Sequence, residues 1–144
     1  MVRPKTRIQV TEFDGRTIPF ADASFDVVLF VDVLHHTEVP EVLLREAKRI
    51  ATRGILLKDH LKDGFLAGPT LRFMDWVGNS PHGVVLPYNY WTMAQWQQAF
   101  KALGLNVNAW ESRIGLYPWP ADYLFGRSLH FIAMSSPQPL SEVV

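Results

Sequence analysis

The apolar residues in the first half of the chain form two short runs separated by one helical pattern. A nearly continuous apolar run at residues 25–31 is typical of a strand that is buried on both faces of a parallel sheet. Leu43, Ala47 and Ile50 then recur at helical spacing, and a second apolar run at residues 55–58 predicts another strand. Because a strand, a helix and a strand fit one right-handed crossover, the pattern predicts an α/β fold.

Turn-forming residues indicate where these elements end. The short run at residues 8–13 contains β-branched side chains and is closed by Asp14 and Gly15, so it predicts a strand followed by a turn. Gly54 follows the helical pattern at the place where a left-handed C-terminal residue is expected.

A long segment without clear periodicity opens the second half. Residues 61–90 are rich in glycine, proline and aromatic side chains, and we interpret them as a lid or substrate loop that contains a short helix near residues 70–77. Thr92 and Gln95 have the capping-box spacing, which predicts a helix over residues 93–103.

The end of the chain alternates loosely and predicts two further strands, near residues 107–111 and 128–134. The pattern therefore predicts a single domain over residues 1–135 and a flexible tail over residues 136–144.

Composition narrows the possible functions. The chain has 144 residues, of which 48% are hydrophobic, and this is enough for one domain with a sizeable core. Fourteen basic and fourteen acidic side chains give no net charge, which argues against a nucleic-acid partner. The absence of cysteine excludes disulfides and thiol catalysis and favours a cytoplasmic protein. No apolar stretch has the length of a signal peptide or a membrane span, so we predict no membrane association.

Five motifs together resemble a known family. Their order and spacing are similar to the methyltransferase type 11 pattern of class I S-adenosylmethionine-dependent methyltransferases. The motifs are Phe13-Asp14-Gly15, Ile18-Pro19-Phe20, Ala23-Ser24-Phe25-Asp26-Val27-Val28, Val33-Leu34-His35-His36 and Leu44-Arg45-Glu46-Ala47-Lys48-Arg49. The resemblance implies a truncated Rossmann-like methyltransferase sheet, mostly parallel, with an antiparallel C-terminal strand.

The resemblance also implies a cofactor, S-adenosylmethionine, and residues that contact it. Asp14 and Gly15 would lie beside the adenine ring, while Asp32 and Val33 would border the methionine portion. Two alternatives remain open from the residues themselves: Asp14 could serve only the Asp-Gly turn, and Asp32 could cap the following helix.

The family's glycine-rich cofactor loop has no counterpart in this sequence, because no G-x-G pattern occurs in it. We therefore expect the chain to start inside an ordinary member of the family, with impaired cofactor binding. Loss of the preceding strands would leave an unpaired sheet edge that allows a homodimer. The alternative function is a non-catalytic remnant that acts as an oligomeric or partner-binding module.

Candidate catalytic residues follow the two central strands. Asp59 and His60 close the second strand, where an imidazole beside a carboxylate suits removal of a proton from a nucleophile. His35 and His36 are further candidates, with structural packing as the alternative. No metal site is predicted, because these histidines lack the i,i+4 helical spacing of a zinc hydrolase motif. The predicted reaction is methyl transfer to a small-molecule acceptor.

Overall fold

The computed structural model describes residues 8–79 and 87–137. Seven helices and strands form the framework of the described chain. In chain order they are β1 (Phe25–Val31), α1 (Pro40–Ile50), β2 (Ala51–His60), α2 (Ala67–Asn79), α3 (Met93–Ala102), β3 (Leu105–Glu111) and β4 (His130–Pro137). A 3₁₀ turn covers Leu34–His36, and a π-helical turn covers Asp122–Gly126.

The four strands form one open sheet in the order β1-β2-β4-β3. β1 pairs with β2 in parallel, and β4 runs antiparallel to both β2 and β3. Three strands therefore share one direction and β4 is reversed, which confirms the predicted α/β sheet with its antiparallel C-terminal strand.

The hydrophobic core lies on one face of this sheet, under α1 and α3. Both helices present an apolar side to it, and α3 begins with the predicted capping box of Thr92 and Gln95. The aromatic side chains Trp96 and Phe131 are fully buried at its centre, with ring centroids 5.1 Å apart. A smaller cluster joins α2 to Tyr90 and Leu129.

The opposite face of the sheet is largely exposed, so the prediction that β1 is buried on both faces is wrong. Val27, Leu29 and Val31 point away from the core and are 45%, 58% and 52% exposed. Val28 and Phe30, which alternate with them, contact the core. Within the described residues, β1 pairs only with β2.

Three local predictions also need correction. Residues 8–13 form no strand and are exposed. Gly54 lies inside β2 and does not end α1, whose C-cap is Ala51 in an extended conformation. β4 continues through Pro137, two residues into the predicted tail, and residues 138–144 of that tail lie outside the described part of the chain.

α2 is longer than the short helix predicted within residues 61–90, and its buried residues Ala67 and Leu71 pack with Tyr90 and Leu129. None of the helices in the described ranges has the length and apolar character needed to span a bilayer.

Candidate functional site

The carboxyl ends of β1 and β2 bring most of the predicted site residues together. The two strands are parallel neighbours, with Val31 opposite Lys58, so the residues that follow β1 meet the last residues of β2. Asp32 adopts a positive φ of 52° and its backbone N–H donates to the Lys58 carbonyl at 2.9 Å. This turn directs the chain back across the sheet edge into the 3₁₀ turn that carries His35 and His36.

Asp59 is fully buried at the centre of this edge and accepts three hydrogen bonds. The backbone N–H of Leu34 donates to Oδ2 at 3.0 Å, and the backbone N–H of His60 donates to Oδ1 at 2.8 Å. The third bond joins Oδ1 to Nδ1 of His35 at 2.6 Å. Burial acts to raise the pKa of Asp59, but the hydrogen bonds from His35 and His60 outweigh it and hold that pKa well below its ordinary value. Asp59 is therefore a fixed negative charge.

His35 lies between two carboxylates. Its Nδ1 bonds to Asp59, and its Nε2 is 3.5 Å from Oδ2 of Asp75 on α2. Burial acts to lower the pKa of His35, but Asp59 and Asp75 together raise it to about 9. The His35 imidazole therefore favours its protonated form at neutral pH, with Nδ1 toward Asp59 and Nε2 toward Asp75.

Tyr90 holds Asp75 in place from the other side. Its hydroxyl donates a very short hydrogen bond to Oδ2 of Asp75, and both side chains are buried. Burial and the adjacent carboxylate raise the pKa of Tyr90, so the phenol keeps its proton and stays a donor. The Tyr90 and His35 rings stack at a centroid distance of 5.6 Å, which fixes their relative position.

His60 lies beside a second carboxylate, that of Asp32. Its Nδ1 is 3.5 Å from Oδ1 of Asp59 and 3.7 Å from Oδ1 of Asp32. Lys58 donates to both oxygens of Asp32 at 2.6 Å and balances its charge. The sequence pairs Asp59 with His60, but the imidazole that contacts the Asp59 carboxylate most closely is that of His35.

A cavity of about 320 Å³ opens over these residues, and we call it the His60 cavity. Its lining includes the three histidines named above and the carboxylates of Asp32 and Asp75. The lining residues are Asp32, His35, His36, Lys58, His60, Met74, Asp75, Gly78, Asn79, Tyr117 and His130.

A second cavity, of about 310 Å³, lies beside the loop after residue 13, and we call it the Asp14 cavity. Asp14 accepts the backbone N–H groups of Arg16 and Thr17 at 2.8 and 2.7 Å, so it does form the turn that the sequence allows. These bonds, that of Thr17 first, hold the pKa of Asp14 below its ordinary value. Gly15 has a φ of +75° in the same turn, and His36 lines this cavity as well as the His60 cavity.

The four residues predicted to contact the cofactor do not line one cavity. Asp14 and Gly15 share the Asp14 cavity, whereas Asp32 lines the His60 cavity with the predicted catalytic histidines. Val33 is partly exposed and lines neither cavity.

The sequence did not predict three features of the site: the carboxylate of Asp75, the hydrogen bond from Tyr90 to it, and the imidazole of His130. Asp75 had a detectable signal, because Ala67, Leu71 and Asp75 recur at i,i+4 spacing, which puts an acid on the buried stripe of α2. A carboxylate on an apolar stripe needs a buried partner.

Comparison with known proteins identifies the fold. Residues 2–57 match the sequence model of a methyltransferase domain. No curated protein sequence matches the chain at a significant level. Among solved structures, the chain is similar to an S-adenosylmethionine-dependent methyltransferase from Mesorhizobium loti. That match has a TM-score of 0.66 and 18% identity, and it covers 92% of this chain and 71% of the other.

Two further structures are similar. The complex between the Haloferax volcanii methyltransferase activator Trm112 and a methyltransferase matches with a TM-score of 0.66 and 17% identity, over 88% of this chain. This chain spans 60% of the length of that match. The [4+2]-cyclase SpnF matches with a TM-score of 0.57 and 16% identity, over 90% of this chain and 56% of SpnF.

At these identities the structural matches establish the fold alone, and SpnF shows by its name that other chemistry uses the same fold. Residues 2–57 therefore resemble part of a methyltransferase domain in sequence, and the described chain shares the fold of the S-adenosylmethionine-dependent methyltransferases.

Proposed function

We propose that this domain transfers a methyl group from S-adenosylmethionine to a small-molecule acceptor. The observation that carries the proposal is the position of His36, which lines both the Asp14 cavity and the His60 cavity. Cofactor in the first cavity and acceptor in the second would meet at this side chain. Both cavities lie at the carboxyl ends of the parallel strands, where open α/β sheets bind ligands.

A small acceptor suits the size and charge of the site. A cavity of about 320 Å³ is in the range of small-ligand pockets. The chain carries equal numbers of acidic and basic residues, which gives no electrostatic footprint for nucleic acid.

The chemistry is a displacement in line with the carbon–sulfur bond of the cofactor. The acceptor forms a bond to the methyl carbon, the carbon–sulfur bond breaks, and its electron pair stays on sulfur. S-adenosylhomocysteine leaves as the second product. The acceptor loses its proton to a base, and the protein's main contribution is to align the two reactants.

His60 is the base in this proposal. Its Nδ1 is turned inward, 3.2 Å from Nδ1 of His35 and 3.5 Å from Oδ1 of Asp59. His60 also lines the acceptor cavity, and Nε2 is the nitrogen that would take the acceptor's proton.

The cofactor half of the proposal is tested by calorimetric titration of S-adenosylhomocysteine. Asp14→Asn keeps one oxygen for the turn but removes the charge and the second acceptor, so we expect binding to weaken roughly 10-fold. Asp26→Asn is the matched control, because Asp26 is an exposed acid that lines neither cavity. No binding by the original chain at millimolar ligand would reject methyl transfer by this chain.

The acceptor half is tested by release of S-adenosylhomocysteine in the presence of a panel of amines, phenols and carboxylic acids. With an active acceptor, His60→Gln should lower kcat about 10²- to 10⁴-fold while the affinity for S-adenosylhomocysteine stays the same. Equal losses of cofactor affinity and kcat would instead assign His60 a structural role.

A further inference from the structure

Two imidazoles and one carboxylate converge where α2 meets the 3₁₀ turn after β1. One potential ligand atom from each of His35, His36 and Asp75 lies within 4.8 Å of the other two. Two nitrogens and one carboxylate oxygen are the donor set of many zinc and non-haem iron sites that keep an open position. The methyl-transfer chemistry proposed above assigns no role to these three side chains as a group.

Two nitrogens in this group lack a hydrogen-bond partner. Nε2 of His35 and Nδ1 of His36 are buried, and neither forms a hydrogen bond to any described residue. His35 is 2% exposed, and a buried nitrogen of this kind is normally hydrogen-bonded. The 3.5 Å between Nε2 of His35 and Oδ2 of Asp75 is too long for a good hydrogen bond but suits two ligands of one metal ion.

The surrounding hydrogen bonds hold the ligands in the orientation that a metal requires. Asp59 accepts from Nδ1 of His35 at 2.6 Å, so Nε2 is the nitrogen that faces Asp75, and a metal ion bound there would displace the proton from Nε2. Tyr90 donates to Asp75 and fixes its orientation. A carboxylate behind a ligating histidine is the usual supporting arrangement in metal sites.

A neighbouring group of four side chains is a weaker candidate. Asp32, His35, Asp59 and His60 also place ligand atoms within 4.8 Å of one another. However, His35 and Asp59 are already hydrogen-bonded to each other, and Lys58 neutralises Asp32. These contacts satisfy the group without a metal.

We propose that His35, His36 and Asp75 bind a divalent transition-metal ion of the zinc class, with an open coordination position toward the His60 cavity. All three ligands line that cavity, so a water or an acceptor oxygen can reach the ion. The sequence predicts no metal site because its histidines lack helical spacing, and α2 supplies the acidic ligand from a distant part of the chain. Metal binding does not depend on methyl transfer.

The test is titration of Co²⁺ and Zn²⁺ into the chelator-treated full chain, followed by calorimetry and by the visible spectrum of the cobalt form. We expect one ion per chain. Asp75→Asn and His36→Asn should each lower affinity by at least about 100-fold, and Asp59→Asn, which removes only support, by about 10- to 100-fold. The titration contains neither cofactor nor acceptor, so its outcome does not depend on whether the chain catalyses methyl transfer.

Asp32→Asn and His130→Gln are the matched controls, because both residues line the same cavity outside the proposed ligand set. They should leave affinity and spectrum unchanged. His36 is only partly buried, so His36→Asn should keep the circular dichroism spectrum of the original chain. Absence of metal binding by the original chain would overturn the proposal. So would a result in which Asp32→Asn loses metal binding while Asp75→Asn keeps it.

Discussion

His130 begins β4 with only 3% of its surface exposed, and its Nδ1 has no hydrogen-bond partner among the described residues. Burial first, and then the positive charges of His60 and Lys58, lower the pKa of His130 to about 4. An ordinary histidine in an unfolded chain has a pKa of about 6.5. Between these values the unfolded chain binds a proton that the folded chain does not, so acid favours unfolding.

We therefore predict that the free energy of unfolding decreases as the pH falls from about 6.5 to 4, with His130 contributing up to ~1.4 kcal/mol per pH unit. Urea unfolding at several pH values should show a shallower dependence for His130→Gln. Tyr117→Phe removes the hydroxyl 3.5 Å from Nε2 of His130 but keeps the titrating group, so it should retain the original slope. Equal slopes in all three chains would contradict the prediction.

The same neighbourhood shows which site residues a sequence can reveal. His35, His36, Asp59 and His60 were predictable as neighbours, because parallel strands bring the residues after their carboxyl ends to one edge. Asp75 comes from a helix whose position depends on packing of Leu71 and on the closure of a long loop. The periodicity of the helix indicates that Asp75 is buried, but it does not indicate which buried group Asp75 contacts.

At the scale of single elements, β2 tolerates no side chain at Gly54. A Cβ built there would lie 2.6 Å from the backbone oxygen of Ser135 on β4, which is far inside van der Waals contact. The close approach explains why this glycine lies inside a central strand, where its backbone freedom otherwise costs stability.

We predict that Gly54→Ala destabilises the chain by about 1–3 kcal/mol, because the two strands must move apart. Gly78→Ala is the matched control, since a Cβ at Gly78 in α2 meets nothing within 4 Å. Alanine there should stabilise the helix by up to about 1 kcal/mol. Thermal unfolding measures both changes, and a neutral Gly54→Ala would show that β2 and β4 separate freely at this point.

Element prediction worked where local signals and long-range pairing agree. The capping box of Thr92 and Gln95 fixes the start of α3 in the sequence itself. Residues 8–13 have strand-like composition but form no strand, because strand formation depends on a neighbouring strand as well as on local composition. β2 begins at Ala51, directly after α1, because pairing with β1 and β4 outweighs the helix-ending signal of Gly54.

The whole molecule has one covered and one uncovered sheet face. Leu29, Leu56 and Met134 are register neighbours on β1, β2 and β4, and they form an apolar row across the uncovered face. Leu29 and Met134 are 58% and 43% exposed. An exposed apolar row of this kind is typical of a protein–protein interface.

We predict that the chain self-associates through this face, with a second copy covering the apolar row. Leu29→Lys introduces a charge into the contact and should shift the chain toward monomer. Phe65→Lys is the matched control, because Phe65 is an apolar residue, 81% exposed, in the segment between β2 and α2. Sedimentation velocity over a range of concentrations should show a rising sedimentation coefficient for the original chain and for Phe65→Lys. A concentration-independent monomer for the original chain would contradict the prediction, and association that survives Leu29→Lys would move the interface elsewhere.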